Sequence, residues 1–131
     1  MLTKFDEQAQ KAIVVAESIA FDLGHNNVGS EHLLLSLLKI SDCKLRDLVK
    51  EYGVNEKNIY EDIKRLFGTN DDQPFYMEYS DAVKNILETA VEITNKQNKS
   101  KVTLNILTIS LLKNAECVAH ELLKKYHVDF D

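Results

Sequence analysis

Proline occurs once in the 131 residues, at Pro74, and glycine only four times. Both residues interrupt helices, so their scarcity predicts long, uninterrupted ones. No apolar run reaches the roughly 18–20 residues that a membrane-spanning helix needs, so no membrane partner is expected. The start MLTKFDEQ places charge where the apolar segment of a signal peptide belongs. With two cysteines and no secretion signal, a cytoplasmic protein with free thiols is expected. Sixteen basic residues against 21 acidic ones leave a net charge of −5. A nucleic-acid duplex wants a basic face, so nucleic acid is not expected as a partner either. The length suffices for one domain (residues 1–131) with its own core, built without disulfide or metal.

What is present is organised around residues 23–38, LGHNNVGSEHLLLSLL. Gly24 reads as the residue after a helix end, where a left-handed backbone suits a side chain without Cβ. Ser30 is placed to cap a new helix, and Glu31 sits in its first turn, where a negative charge suits the positive helix end. Leu33, Leu34, Leu37 and Leu38 recur at helical spacing and predict one broad buried face. A short turn thus joins two core helices and leaves a capped helix start, with one acid, open to a ligand.

Elsewhere the same signals recur. Asp6 caps the first helix, whose inner stripe is Ala9, Ala12, Ile13, Ala16, Ala20 and Leu23. A third helix is capped by Ser41 or Asp42, faces inward with Leu45, Leu48, Val49 and Tyr52, and ends at Gly53. Asn55 caps a fourth with Ile59, Ile63, Leu66 and Phe67, stopped by Gly68. Residues 68–78, GTNDDQPFYME, have loop chemistry.

The chain then begins again. Displaced by 74 residues, as Ala16 is from Ala90, the two halves align without a gap. Ile19 meets Ile93, Val28 meets Val102, Leu33 meets Leu107, and Ser36-Leu37-Leu38-Lys39 recurs as Ser110-Leu111-Leu112-Lys113. Cys43 and Cys117, Leu48 and Leu122, and Tyr52 and Tyr126 also pair. Helix periodicity alone would not align cysteine, tyrosine and a four-residue run at one offset, so the halves are a tandem repeat. The expected fold is all-α: a four-helix unit packed on its copy with pseudo-twofold symmetry. Repeat one covers about 5–68, a linker 69–78 and repeat two about 79–131. The second repeat lacks its last helix, since only Asp129 remains to match the cap Asn55. Its turn is also changed, with Asn98, Thr103, Leu104 and Asn105 where the first has Gly24, Gly29, Ser30 and Glu31.

Several chemistries are weighed and set aside. Gly24 and Gly29 have the glycine spacing of a phosphate-binding loop, but Ser30-Glu31 stands where Lys-Ser/Thr is required, and a helix precedes it. His25 and His32 flank the turn, yet no set of three or four ligands accompanies them, so no metal is expected. His25 is read as bonding backbone in the loop and His32 as filling the helix start, with His120 and His127 at the surface. Cys43 and Cys117 read as half-buried thiols, and no Cys–His–Asp order suggests a nucleophile. No catalytic role and no cofactor are therefore assigned. The turn at 95–101 is basic: a solvated loop, or an anion-accepting pseudo-site for acidic side chains of a partner protein, whose binding reversal of Lys96, Lys99 and Lys101 would weaken. Phe75, Tyr76, Met77 and Tyr79 cluster between the repeats, sealing the core or forming an apolar docking patch.

At these residues the sequence resembles the N-terminal domain of the Clp family of AAA+ unfoldases, most closely ClpC-like ones. The family's repeat opens aromatic-Thr/Ser-x-x-Ala and continues LGHxxVGTEHLLLGLL. Phe5-Asp6-Glu7-Gln8-Ala9 and residues 23–38 supply both, with Ser30 for Thr and Ser36 for Gly, and Tyr79-Ser80 opens the second repeat in the same way. The resemblance implies a non-enzymatic domain that docks adaptor proteins and protein substrates, including arginine-phosphorylated ones, for an attached AAA+ ring. It also implies phosphoarginine sites that use the acid of the GTEH motif once per repeat. Glu31, with Gly29, Ser30 and His32, matches the first. The second falls on Asn105, with Thr103, Lys101 and Lys99, and Asn105 offers no carboxylate. Glu31 serving only the helix dipole stands as the plainer alternative, and a free-standing Clp-like adaptor or competitor as the alternative for the whole chain.

Overall fold

A computed structural model of the chain describes residues 2–40, 43–74 and 76–128. Its helices are α1 (Glu7–Leu23), α2 (Ser30–Lys39), α3 (Leu45–Val49), α4 (Glu56–Phe67), α5 (Asp81–Lys96), α6 (Leu104–Lys113) and α7 (Val118–Lys125). The fold is all-α, with two-residue strands β1 (Asn27–Val28) and β2 (Glu78–Tyr79) as its only described strands. Among the described residues no helix is long and apolar enough to cross a membrane.

Helix starts follow the caps. Asp6, Asn55 and Ser80 accept hydrogen bonds from the amides of Ala9, Asn58 and Val83, at 2.9, 2.8 and 3.2 Å. Asp6 and Ser80 are repeat mates, and α1 and α5, like α2 and α6, begin 74 residues apart. Hydrogen bonds repeat with the same offset. The buried Ser36 hydroxyl donates to the Ala12 carbonyl at 2.5 Å, and Ser110 donates to the Ile86 carbonyl at 2.6 Å. Each ties the second helix of its half to the first.

The halves also exchange backbone. β1 pairs in parallel with β2, Val28 opposite Tyr79, while Phe5 bridges Val102. Since Phe5 and Val28 are the repeat mates of Tyr79 and Val102, each half's entry segment pairs with the other half's turn. This reciprocal pairing is pseudo-twofold symmetry in hydrogen bonds.

Helix α2 lies at the centre. It packs on α1, α3 and α4 of its own half and on α5, α6 and α7 of the other half. Every residue from Ser30 to Leu38 is buried, so the broad face expected from spacing extends around the whole helix. The polar residues of that run must therefore find partners inside the protein.

Other expectations need correction. Leu48, Leu66 and Phe67 are 60%, 55% and 48% exposed, although their spacing placed them on inner faces. α3 is a single turn and a half that passes into a 3-10 turn at Lys50–Tyr52, which presents Leu45 and Val49 inward and leaves Leu48 outside. Spacing tells which way a side chain points, not whether a neighbour stands there. The caps Ser41 and Asp42 lie outside the described residues, as do Phe75 and Asp129; the residue before α3 is Lys44, whose side chain makes no cap. Tyr76 is exposed, while Met77 and Tyr79 pack against the core. Cys43 and Cys117 are free and fully buried rather than half-buried. His120 is half-buried rather than superficial, and His127 is exposed.

Among the described residues no helix follows α7 to match α4. Ile109 on α6 is accordingly 42% exposed, whereas its repeat mate Leu35 on α2, where α4 packs, is fully buried.

Candidate functional site

The turn between α1 and α2 is built by two glycines used differently. Gly24 has φ +76°, and its amide donates to the Phe21 carbonyl while the His25 amide donates to that of Ala20. These paired bonds close α1 in a Schellman motif. A Cβ at Gly24 would stand 2.3 Å from the Asn70 carbonyl oxygen, so a side chain is excluded by space as well as by backbone angle. Asn70 in turn donates from its amide to the Leu23 carbonyl and from its side chain to the Gly24 carbonyl. The loop after α4 is thereby pinned over the end of α1.

Gly29, not Ser30, is the cap of α2. Its backbone is extended, and Ser30 is the first helical residue. The Ser30 hydroxyl instead points inward and accepts from the Ala119 amide at 3.0 Å, filling the open start of α7 in the second repeat. This corrects the expectation that Ser30 serves its own helix. Glu31 lies back over Gly29: a Cβ there would come within 2.1 Å of Glu31 Oε1. The bare glycine is what lets the carboxylate rest on the helix start. Glu31 is only 8% exposed, and burial raises its pKa above the ordinary carboxylate value, against the opposing pull of its own backbone amide and of His25. Among the described residues no lysine or arginine forms a salt bridge with it.

His25 and His32, which sequence reading kept separate, meet. His25 Nδ1 lies 2.9 Å from His32 Nε2, and His25 Nε2 lies 2.8 Å from the Gly68 carbonyl oxygen. The Gly29 amide donates to His32 Nδ1 at 2.8 Å. That last bond is half a capping box, with histidine in place of glutamate. Burial lowers the pKa of His32 to about 4, with the nearby His25 adding to the effect. No group of three or more His, Cys, Asp or Glu that could hold a metal exists among the described residues.

Together these side chains line an open pocket formed by Gly24, His25, Asn26, Asn27, Glu31 and His32, with Phe67 and Asn70 from across the fold. Phe67 meets His25 edge-on, with ring centroids 6.4 Å apart. Of the predicted site residues, Glu31 and His32 line this pocket, Gly29 supports the acid from behind, and Ser30 is buried behind the helix. Phe67 and Asn70 went unrecognised; the only signal for them was loop chemistry at Asn70 and a phenylalanine that finds no core.

The second-repeat turn is built otherwise. Thr103 caps α6 through a 3.3 Å bond from the Ile106 amide, and Leu104 occupies the place of Ser30. Asn105, Lys99 and Lys101 are exposed. There a threonine side chain caps the helix start, where the first repeat has a bare glycine with the Glu31 carboxylate lying over it.

The sequence model of the Clp repeat (R) N-terminal domain matches residues 4–126. Over its full length the chain is 27% identical to the negative regulator of genetic competence ClpC/MecB of Bacillus subtilis strain 168, and it spans 16% of that protein. Its fold is similar to the N-terminal domain of the chaperone ClpD from Arabidopsis thaliana, with a TM-score of 0.78 at 20% identity, covering 99% of this chain and 92% of that one. A ClpV N-domain solved in complex with VipB peptide is also similar, with a TM-score of 0.75 at 18% identity over 98% of this chain and 81% of that one. At those identities the solved structures speak for the fold alone, whereas the sequence match covers nearly all of the chain. A duplicated four-helix pattern, its reciprocal backbone pairing and that match lead to one assignment: the chain belongs to the Clp repeat N-terminal domain family.

Proposed function

We propose that this domain docks adaptor proteins and protein substrates for an ATP-driven Clp unfoldase ring, itself catalysing nothing. Family membership supports this reading, and so does the peptide held by the similar ClpV N-domain. The chain spans about 16% of the length of the ClpC/MecB relative, so the ring belongs to the proposal rather than to the chain described.

Within that role the first-repeat pocket takes phosphoarginine. The observation that carries this is Glu31, a buried acid at the wall of an open pocket, with no lysine or arginine in a salt bridge to it among the described residues. A guanidinium supplies the missing charge through paired N–H donors. When the carboxylate turns to meet it, the amides at the start of α2 are freed for the anionic phosphoryl group. One ligand thus meets both the carboxylate and the helix start. In the second repeat Asn105 lacks the acid and Thr103 already fills the helix start, so one site per chain is expected.

Calorimetric titration with phosphoarginine tests the reading. Binding at a single weak site is expected, lost in Glu31→Ala and unchanged in Asn105→Ala. Absence of any heat with the wild-type domain rejects the pocket assignment.

A further inference from the structure

We propose that His25 and His32 form a proton-operated latch that ties the start of α2 to the end of α4 and opens in acid. The three hydrogen bonds of the relay run in one direction only. The Gly29 amide can only donate, so His32 Nδ1 must present a lone pair. The Gly68 carbonyl can only accept, so His25 Nε2 must carry a proton. With both ends fixed, the proton between the rings sits on His32 Nε2 and is donated to His25 Nδ1.

No second proton fits. On His25 Nδ1 it would set two N–H groups head-on across 2.9 Å. On His32 Nδ1 it would meet the Gly29 N–H across 2.8 Å. Uptake by either ring therefore breaks a link of the relay. Burial of His32 holds its pKa down to about 4, so protonation of that ring falls on the acid side.

The surroundings decide where the proton leads. Glu31 of α2 is the one other titratable side chain lining the pocket; what α1, the turn, α4 and the loop after it contribute is uncharged. Among the pocket-lining residues the Glu31 carboxylate is thus the one anion a cationic His25 can turn to. Moving toward it releases the Gly68 carbonyl and draws the carboxylate away from Gly29. The loop after α4 then stays tied to the α1–α2 turn through Asn70 and through the Glu78 amide on the Asn26 carbonyl. This latch concerns the fold and does not depend on phosphoarginine being the ligand.

Long-range proton–nitrogen spectra of the imidazole rings, recorded from neutral pH down to about 4, test it. At neutral pH both rings are expected as the Nε2–H tautomer. On acidification, His25, His32 and the Gly29 and Gly68 amides should shift with a common midpoint, and exchange of the Gly29 amide should rise about tenfold. Exposed His127 is the internal comparison. In His25→Gln, whose amide donates and accepts without titrating, the Gly68 response should vanish, while that of Gly29, which still faces His32, should remain. An Nδ1–H tautomer on either ring at neutral pH, or a His25 titration that Gly29 and His32 ignore, overturns the latch. The wild-type spectra decide the matter even where His25→Gln fails to fold.

Discussion

Glu31 is a carboxyl group in a place that does not favour its charged form. It is buried, forms no salt bridge with a lysine or arginine among the described residues and has its pKa raised by that burial, an electrostatic strain that a cationic ligand would relieve. Sites built for binding commonly trade stability in this way. Glu31→Gln should therefore raise stability at neutral pH by about 0.5–2 kcal/mol, read by urea unfolding, while abolishing phosphoarginine binding. A variant less stable than the wild type would instead show that the carboxylate chiefly serves the helix dipole. At this scale much was legible. Asp6, Asn55 and Gly24 act as their types predict, because a cap or a left-handed turn is decided within a few residues. Ser30 was not legible. Two positions compete for one cap, and Gly29 takes it because the serine hydroxyl finds a better acceptor role at the buried start of α7.

The elements are coupled through that serine. α7 has Cys117 as its cap residue, whose side chain makes no capping bond, so the Ala119 amide relies on Ser30 from 89 residues away. Ser30→Ala should cost about 1–3 kcal/mol, the penalty for leaving a buried donor unpaired. Thermal unfolding measures the loss, and faster amide exchange confined to the first turn of α7 would distinguish it from a general loosening. Helix existence and order followed from periodicity, but helix environment did not. α2 reads as amphipathic and is enclosed on all sides, whereas α4 reads as apolar to its end and leaves Leu66 and Phe67 in solvent.

For the whole molecule, the repeats are locked by Asp62. Buried on α4, it accepts from Lys125 at 2.8 Å and Tyr126 at 2.5 Å at the end of α7, and from Arg65 at 3.1 Å. Burial pushes its pKa up, but the Lys125 and Tyr126 hydrogen bonds and the Lys125 and Arg65 charges outweigh this and hold it below the ordinary aspartate value. Its stabilising contribution is thus present above the usual aspartate pKa of 3.8 and is lost as pH falls below it. His32 acts at higher pH. Its folded value of about 4 lies below the usual 6.5, so its contribution is complete above 6.5 and drains away down to about 4, by up to about 3 kcal/mol. Glu31, with its raised value, works in the opposite sense and blunts that loss. Urea unfolding across this range should show stability falling first between 6.5 and about 4 and again below 3.8. Asp62→Asn should remove the lower step and lower neutral-pH stability by about 1–3 kcal/mol. A variant that leaves the acid limb unchanged would free Asp62 from this role.

By itself the sequence determined the duplication, the order of helices, the caps at Asp6 and Asn55 and the acid at the first turn. All of these rest on interactions spanning a helical turn or on a pattern repeated along the chain. Only the tertiary structure decided that Ser30 caps α7, that Glu31 retracts over Gly29, that His25 and His32 join to Gly68, and that Asp62 gathers the end of α7. Such contacts link residues 43 to 89 apart or hinge on which of two neighbours wins one site. Local propensity carries no information about them, because it is the packing of α2 among six helices that brings those groups within hydrogen-bonding reach.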